Sequence, residues 1–343
     1  DDEAFEVTVR GTRSGAWIVI ESRSRDTSES WLLPTADTTA APRSVAGRRS
    51  GIEYGVDHAP WNDADELLMV TNDQAPEFQV LAAPVDTLGP WRQVVVHDPA
   101  VRVVDADAFA GHVVLTLRQD GLPLLRVMQR DGSASYDIAP ADEASTVCLV
   151  HVDDFASRTI TIRAESRTAP ASWWDVDLGS GERVEVARTE APGLDPGRYA
   201  TSRVWVTARD GARVPVTLWR RHDVALDGSA PCLLYGYGAY EYVFEPEFDP
   251  ALPSLLDRGV VFAHAHVRGG GEMGRAWWEH GRLLHKRATF DDFVDVADAL
   301  AHDGALALVD GRRIASRGLS AGGLLQGAVY SQRPDRWRVV VAE

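Results

Sequence analysis

The chain has only two cysteines in 343 residues, Cys148 and Cys232. Two isolated thiols supply neither a disulfide framework nor metal-ligand spacing, which suits a reducing compartment. Positive charge is also scarce: 35 Lys and Arg stand against 51 Asp and Glu, a formal net charge of −16. That balance argues against nucleic acid as a partner, since such binders need a basic face, and mildly favours cationic substrates. No apolar run approaches the roughly 20 residues that cross a bilayer, and no secretory signal is visible. The expectation is a cytoplasmic protein with no membrane contact. No metal is expected either, because His58, His97, His112 and His151 each lack a second ligand type at metal spacing. No cofactor is expected: the one glycine cluster, Gly269-Gly270-Gly271, lacks both phosphate-binding spacings.

What is present is ample apolar material, 45% of residues, with 25% charged. At this length the composition reads as soluble, globular and two-domain. Strand-like runs dominate to about Val186, and four look alike. They begin at Ala16, Glu66, His112 and Thr159, spaced by 50, 46 and 47 residues. Each leads through a short turn into a second strand, at Trp31, Phe78, Leu124 and Trp173. Gly or Asp then closes the unit, as in Asp131-Gly132 and Gly179-Ser180-Gly181. A period of this size with several strands per unit marks a β-propeller; ordinary sandwich strands are the alternative. Trp17, Trp31, Trp61, Trp91, Trp173 and Trp174 read as blade packing, and Arg48 and Arg49 as a solvated pair.

Pro192-Gly193-Leu194-Asp195-Pro196-Gly197 is a breaker-rich connection. It divides the chain into propeller blades over 1–192 and a second domain over 193–343. A hairpin turning at Asp210-Gly211 opens the second part. Strands at Cys232 and Val260 follow, then a helix over 290–301 and a strand at Arg338. Thr289 is the expected N-cap, with Asp292 at the capping-box position. Phe290, Phe293, Val294, Ala297 and Leu300 form the buried stripe. Strands alternating with helices imply a mostly parallel sheet with its site at the strands' C-terminal ends. On the central strand, His264 and His266 read as satisfied core histidines.

Gly318-Leu319-Ser320-Ala321-Gly322-Gly323 fits G-x-S-x-G, the nucleophile elbow of an α/β-hydrolase. Gly318 and Gly322 leave room for the tight strand-to-helix turn that lifts Ser320 into the site. A serine needs a base, an orienting carboxylate and donors for the oxyanion. In this fold one donor is the backbone N–H after the nucleophile, here Ala321. Two further loops fall on the same face. Tyr235-Gly236-Tyr237-Gly238-Ala239-Tyr240 either presents a phenol to the pocket or is a plain glycine loop with packed aromatics. Arg268-Gly269-Gly270-Gly271-Glu272 reads as a close-approach loop beneath the site.

Together Tyr235-Gly-Tyr-Gly, Arg268-Gly-Gly-Gly-Glu, Thr289-Phe-Asp-Asp, Gly318-Leu-Ser-Ala-Gly-Gly and Gln332-Arg-Pro-Asp resemble the prolyl oligopeptidase family of serine peptidases. The order and approximate spacing of all five motifs match, and the repeat precedes them. The resemblance implies a β-propeller capping an α/β-hydrolase domain, and short peptides as substrates. It is closest to the oligopeptidase B (protease II) branch, which cleaves after Arg and Lys. Ala239-Tyr240, Ala321 after the nucleophile, and Glu245-Pro246-Glu247 carry that likeness. By the resemblance, Tyr237 supplies a second oxyanion donor through its hydroxyl, and Glu245 and Glu247 help hold basic side chains. Glu241 departs from the family, whose loop often has Gly there. Alternative readings are a prolyl-specific or acylaminoacyl peptidase, or a catalytically dead propeller-hydrolase that binds rather than cleaves.

In this fold the triad runs Ser, then Asp or Glu, then His. Here the last histidine is His302, and only Asp335 and Glu343 follow Ser320 among carboxylates. With no starting Met and about four blade-like repeats, the chain is expected to be the middle portion of a longer enzyme. The remainder of the same polypeptide then supplies the triad's acid and base. The 343 residues expressed alone should not cleave a Z-Arg-Arg fluorogenic peptide, and measurable turnover would contradict that expectation.

Overall fold

A computed structural model of the chain describes residues 2–62, 64–150, 152–301 and 304–343. His151 and His302 lie outside the described residues. Four antiparallel sheets come first, each meandering in chain order. β1–β4 span Glu6–Gly11, Trp17–Arg23, Ser28–Pro34 and Arg43–Ser44. β5–β8 span Tyr54–His58, Glu66–Thr71, Gln79–Pro84 and Arg92–Val95. β9–β12 span Val101–Ala108, His112–Gln119, Leu122–Gln129 and Ser135–Ile138. β13–β16 span Ser145–Leu149, Thr159–Ser166, Ala169–Asp177 and Arg183–Arg188. These are four propeller blades, and the look-alike runs are their second and third strands.

The packing explains why those strands were visible. Side chains alternate between the faces of a sheet. On β6, Leu67 and Met69 pack with Val19, Leu32 and Val56 of the first two blades. Leu68 and Val70 turn the other way, toward Val113, Leu115 and Leu117 of the third. A strand buried on both faces must be apolar throughout. By contrast β1 and β16 are exposed along their whole length and carry no such signature. The turns at Asp131-Gly132 and Gly179-Ser180-Gly181 do not close a unit, since an outer strand, β12 or β16, follows each. Trp17 and Trp91 pack on the core between the first two blades, and Trp174 on that between the last two. Arg48 and Arg49 are not simply solvated: they pair with Glu29 at 3.4 Å and Asp73 at 2.7 Å.

The second unit is a six-stranded sheet of order β17-β18-β20-β19-β21-β22. Its strands are β17 Tyr199–Thr207, β18 Arg213–Arg221, β19 Cys232–Tyr235, β20 Val261–Ala265, β21 Ile314–Gly318 and β22 Val339–Ala342. The last four run parallel, and β18 joins β20 antiparallel. The helices are α1 Leu252–Leu256, α2 Arg275–Glu279, α3 Arg287–Leu300 and α4 Ala321–Gln332. Val261, Ala263 and Ala265 of β20 join Phe293, Val294, Ala297 and Leu300 of α3 and Leu325 and Val329 of α4 in one core. This is the α/β-hydrolase layout, carried through the elbow.

α3 starts earlier than its sequence suggests, and Thr289 does not cap it. Thr289 Oγ1 donates to the carbonyls of Arg268 (2.7 Å) and Gly281 (3.2 Å). Asp292, fully buried, accepts from the backbone and guanidinium of Arg268. A local pattern that fits a capping box is used instead for tertiary contacts.

Propeller and sheet meet through buried ion pairs. The Arg275 guanidinium binds Glu53 and, at 2.8 Å, Glu241, and its backbone N–H donates to Glu77 at 2.8 Å. Arg102 reaches Glu241 at 3.1 Å, and Arg118 binds Glu245. Removing one partner of such a set leaves the others charged and unpaired in low dielectric. Arg275→Met should therefore destabilise the protein by about 3–5 kcal/mol, read as a lowered urea midpoint. A loss below about 1 kcal/mol, the range of an exposed pair, would show the contact to be solvated.

Candidate active site

Ser320 sits between β21 and α4 at φ 58°, ψ −114°. A non-glycine residue in this region costs on the order of 1–3 kcal/mol and persists only where its surroundings hold it. They do so here by crowding. A Cβ on Gly318 would lie 2.3 Å from the Gly322 carbonyl oxygen. One on Gly322 would lie 2.8 Å from the Gly236 oxygen and 3.5 Å from the Tyr237 ring. The Ser320 N–H donates to the Glu343 carbonyl at 2.7 Å, tying the elbow to the chain beyond β22. Ala321 is the first residue of α4, so its N–H has no acceptor within the helix. Among the described residues, no hydrogen bond from a histidine reaches the Ser320 hydroxyl.

The Gly322 contact brings the tyrosine loop to the elbow. The Tyr237 ring packs edge-on to Phe244, centroids 4.9 Å apart. The amine of Lys286 donates to the Gly238 carbonyl, and burial pulls its pKa down to about 8. Tyr240 and Glu241 adopt φ of 65° and 57°. The left-handed turn that the family's Gly would make freely is made here by Glu241. Its carboxylate is held by Arg102 and Arg275.

Glu245 and Glu247 differ in their commitments. Glu245 is bound by Arg118 and, at 3.3 Å, by the Thr146 hydroxyl, both from the propeller. Among the described residues Glu247 makes no ion pair. Both carboxylates that follow Ser320 are engaged, Asp335 with Arg333 at 3.0 Å and Glu343 with Arg317 at 2.9 Å. Hydrogen bonding to Asp335 and Asp298 raises the already high pKa of Arg333.

The triple glycine packs backbone on backbone against the tyrosine loop. Cβ atoms on Gly269 and Gly271 would fall 2.2 Å from the Gly238 oxygen and 2.3 Å from the Glu241 oxygen. Arg268 anchors this loop from beneath through Asp292 and, at 2.6 Å, Asp210, and these bonds raise its pKa. His264 and His266 are both buried. His266 Nε2 meets the Thr217 hydroxyl at 2.9 Å, but among the described residues Nδ1 has no hydrogen-bond partner, so it is not a fully satisfied core histidine. Sequence reasoning did not single out Glu53, Glu77 or Arg275, whose value lies in partners up to 222 residues away.

Two family models match the chain. Residues 1–189 fit the N-terminal β-propeller domain of prolyl oligopeptidases, and residues 246–343 fit the prolyl oligopeptidase family itself. The chain belongs to the prolyl oligopeptidase family. It is 38% identical to dipeptidyl aminopeptidase BI of Pseudoxanthomonas mexicana over 99% of this chain and 46% of that protein. It is 33% identical to protease 2 of Moraxella lacunata over 99% of this chain and 48% of that protein. Oligopeptidase B from Trypanosoma brucei, solved closed with covalently bound antipain, superposes with a TM-score of 0.91 at 33% identity, covering 99% of this chain and 49% of that one. The Leishmania major enzyme gives 0.90 at 30% identity, covering 99% and 48%. The chain thus spans about half the length of the relatives it matches.

The elbow's crowding is testable. Gly318→Ala forces a Cβ into backbone and should cost about 2 kcal/mol or more. Gly327→Ala, in α4 with open space around it, should be neutral or stabilising by up to about 1 kcal/mol. Equal melting temperatures for the two variants would mean that the elbow relaxes.

Proposed function

We propose that the whole protein is a serine peptidase that cleaves short peptides through an acyl-enzyme on Ser320. The observation that carries this reading is Ser320 held at positive φ on the turn into α4, with Tyr237 packed against the same turn. The hydroxyl gives its proton to the base and attacks the scissile carbonyl, and the C–N bond then breaks as the amine leaves with that proton. The Ala321 N–H and the Tyr237 hydroxyl donate to the oxyanion, and water later releases the acyl group. The base and its orienting carboxylate come from the remainder of the same polypeptide. Domain-wise, the blades over 1–192 cover a catalytic unit over 193–343.

Preference for Arg or Lys at the cleaved bond is the favoured specificity. It is supported by the likeness to oligopeptidase B and protease 2, by the net charge of −16, and by the uncommitted Glu247. A second reading is release of dipeptides from peptide N-termini, favoured by the 38% identity to dipeptidyl aminopeptidase BI. Both use the same elbow, and both need short peptides as partners, with no metal in the chemical step.

A reporter panel on the full-length protein separates them. Z-Arg-Arg, Z-Gly-Pro, acyl-alanyl and free dipeptidyl reporters should rank with Z-Arg-Arg first. A dominant free-dipeptidyl rate would replace the first reading with the second. Ser320→Ala should abolish turnover while leaving the melting temperature intact. Tyr237→Phe should lower kcat by roughly 10- to 1000-fold, and an unchanged kcat would remove Tyr237 from the oxyanion site.

A further inference from the structure

On β20 the alternation that buries Ala263 and Ala265 in the core sends His264 to the opposite face, toward the propeller. His266, just past the strand, points the same way. The two rings lie 4.3 Å apart, tilted by 36°. Glu272 returns from the triple-glycine loop to meet them, and one ligand atom from each of the three lies within 4.8 Å of the others. All three are more than nine-tenths buried: 2%, 9% and 4% exposed.

Their hydrogen bonding is incomplete in a particular way. Thr217 occupies His266 Nε2, so Nδ1 is left facing Glu272 Oε1 at 3.7 Å, without a hydrogen-bond partner among the described residues. Among the described residues Glu272 Oε2 has no hydrogen-bond partner either. Buried polar atoms of this kind call for an occupant. The cavity they line measures about 20 Å³, room for one small particle. It is also lined by Arg118, Arg203, Glu143 and Glu245. With Glu272 that makes three carboxylates against two guanidiniums, a balance that tolerates a cation.

We propose that His264, His266 Nδ1 and Glu272 bind one divalent transition metal, zinc by preference, with both Glu272 oxygens available to it. Two imidazoles and a carboxylate are a recurrent zinc donor set. A metal-bound histidine donates its other ring N–H to a fixed acceptor, and the Thr217 hydroxyl is placed to be that acceptor. Tetrahedral zinc holds its ligand atoms about 3.4 Å apart, a contraction that side-chain rotation supplies. The sequence-based expectation is of no metal, with His264 and His266 as core histidines; Glu272 joins them only when the triple-glycine loop folds back.

The test uses the untagged full-length protein, stripped with chelator and titrated with Zn²⁺ by calorimetry. Metal content after desalting is read by mass spectrometry. One zinc per chain is expected, and Co²⁺ in its place should give the visible bands of a tetrahedral site. Glu272→Gln and His264→Gln should each weaken binding at least tenfold, and circular dichroism checks their folding. Absence of retained zinc in the unmutated protein would overturn the site in favour of a single buried water. Undiminished binding in the folded His264→Gln variant would overturn it equally.

Discussion

The structure depends on a layer of buried charge where the propeller rests on the hydrolase sheet. Glu53 and Glu77 from the second blade and Arg102 from the third meet Arg275 and Glu241. Ions taken out of water are costly unless paired and hydrogen-bonded, so this layer forms as a set or not at all. Its reach extends to the catalytic face. Glu241 belongs to the loop that carries Tyr237, and with Gly238 and Tyr240 it turns that loop through left-handed conformations. Seating of the blades and shape of the tyrosine loop are therefore one constraint.

From that loop a series of contacts reaches the nucleophile. Gly238 and Glu241 lie against the triple glycine, which Arg268 and Asp292 fix from below. Gly236 and Tyr237 lie against Gly322, and Gly322 against Gly318. In this chain of contacts backbone meets backbone with no space for a Cβ. Close packing of this kind is what keeps Ser320 at its strained dihedrals, since each neighbour removes one direction of relaxation.

Much of this was legible in the sequence, for identifiable reasons. The elbow's spacing is local, so G-x-S-x-G revealed its turn. The second and third strands of each blade are apolar because they are buried on both faces. The outer strands β8 and β16 are largely solvent-facing and read as nothing in particular. Thr289 and Asp292 misled because a capping box is a local pattern, while their partner Arg268 lies 21 and 24 residues away. The ion-pair layer and the histidine–glutamate cluster were invisible for the same reason: their meaning lies in the other partner's position.

On the proposed preference for Arg or Lys, the loop after Tyr237 offers two carboxylates that are not equivalent. Glu245 is bound by Arg118, whose pKa burial pulls down to about 10. A substrate guanidinium arriving at Glu245 must displace that arginine, leaving a buried cation with one carboxylate fewer. Breaking a buried pair costs more than an exposed pair returns. Glu247 carries no such debt, since among the described residues its carboxylate is uncommitted. The pair Glu245-Pro246-Glu247 thus divides into one residue that holds the domains together and one free to meet a cationic side chain.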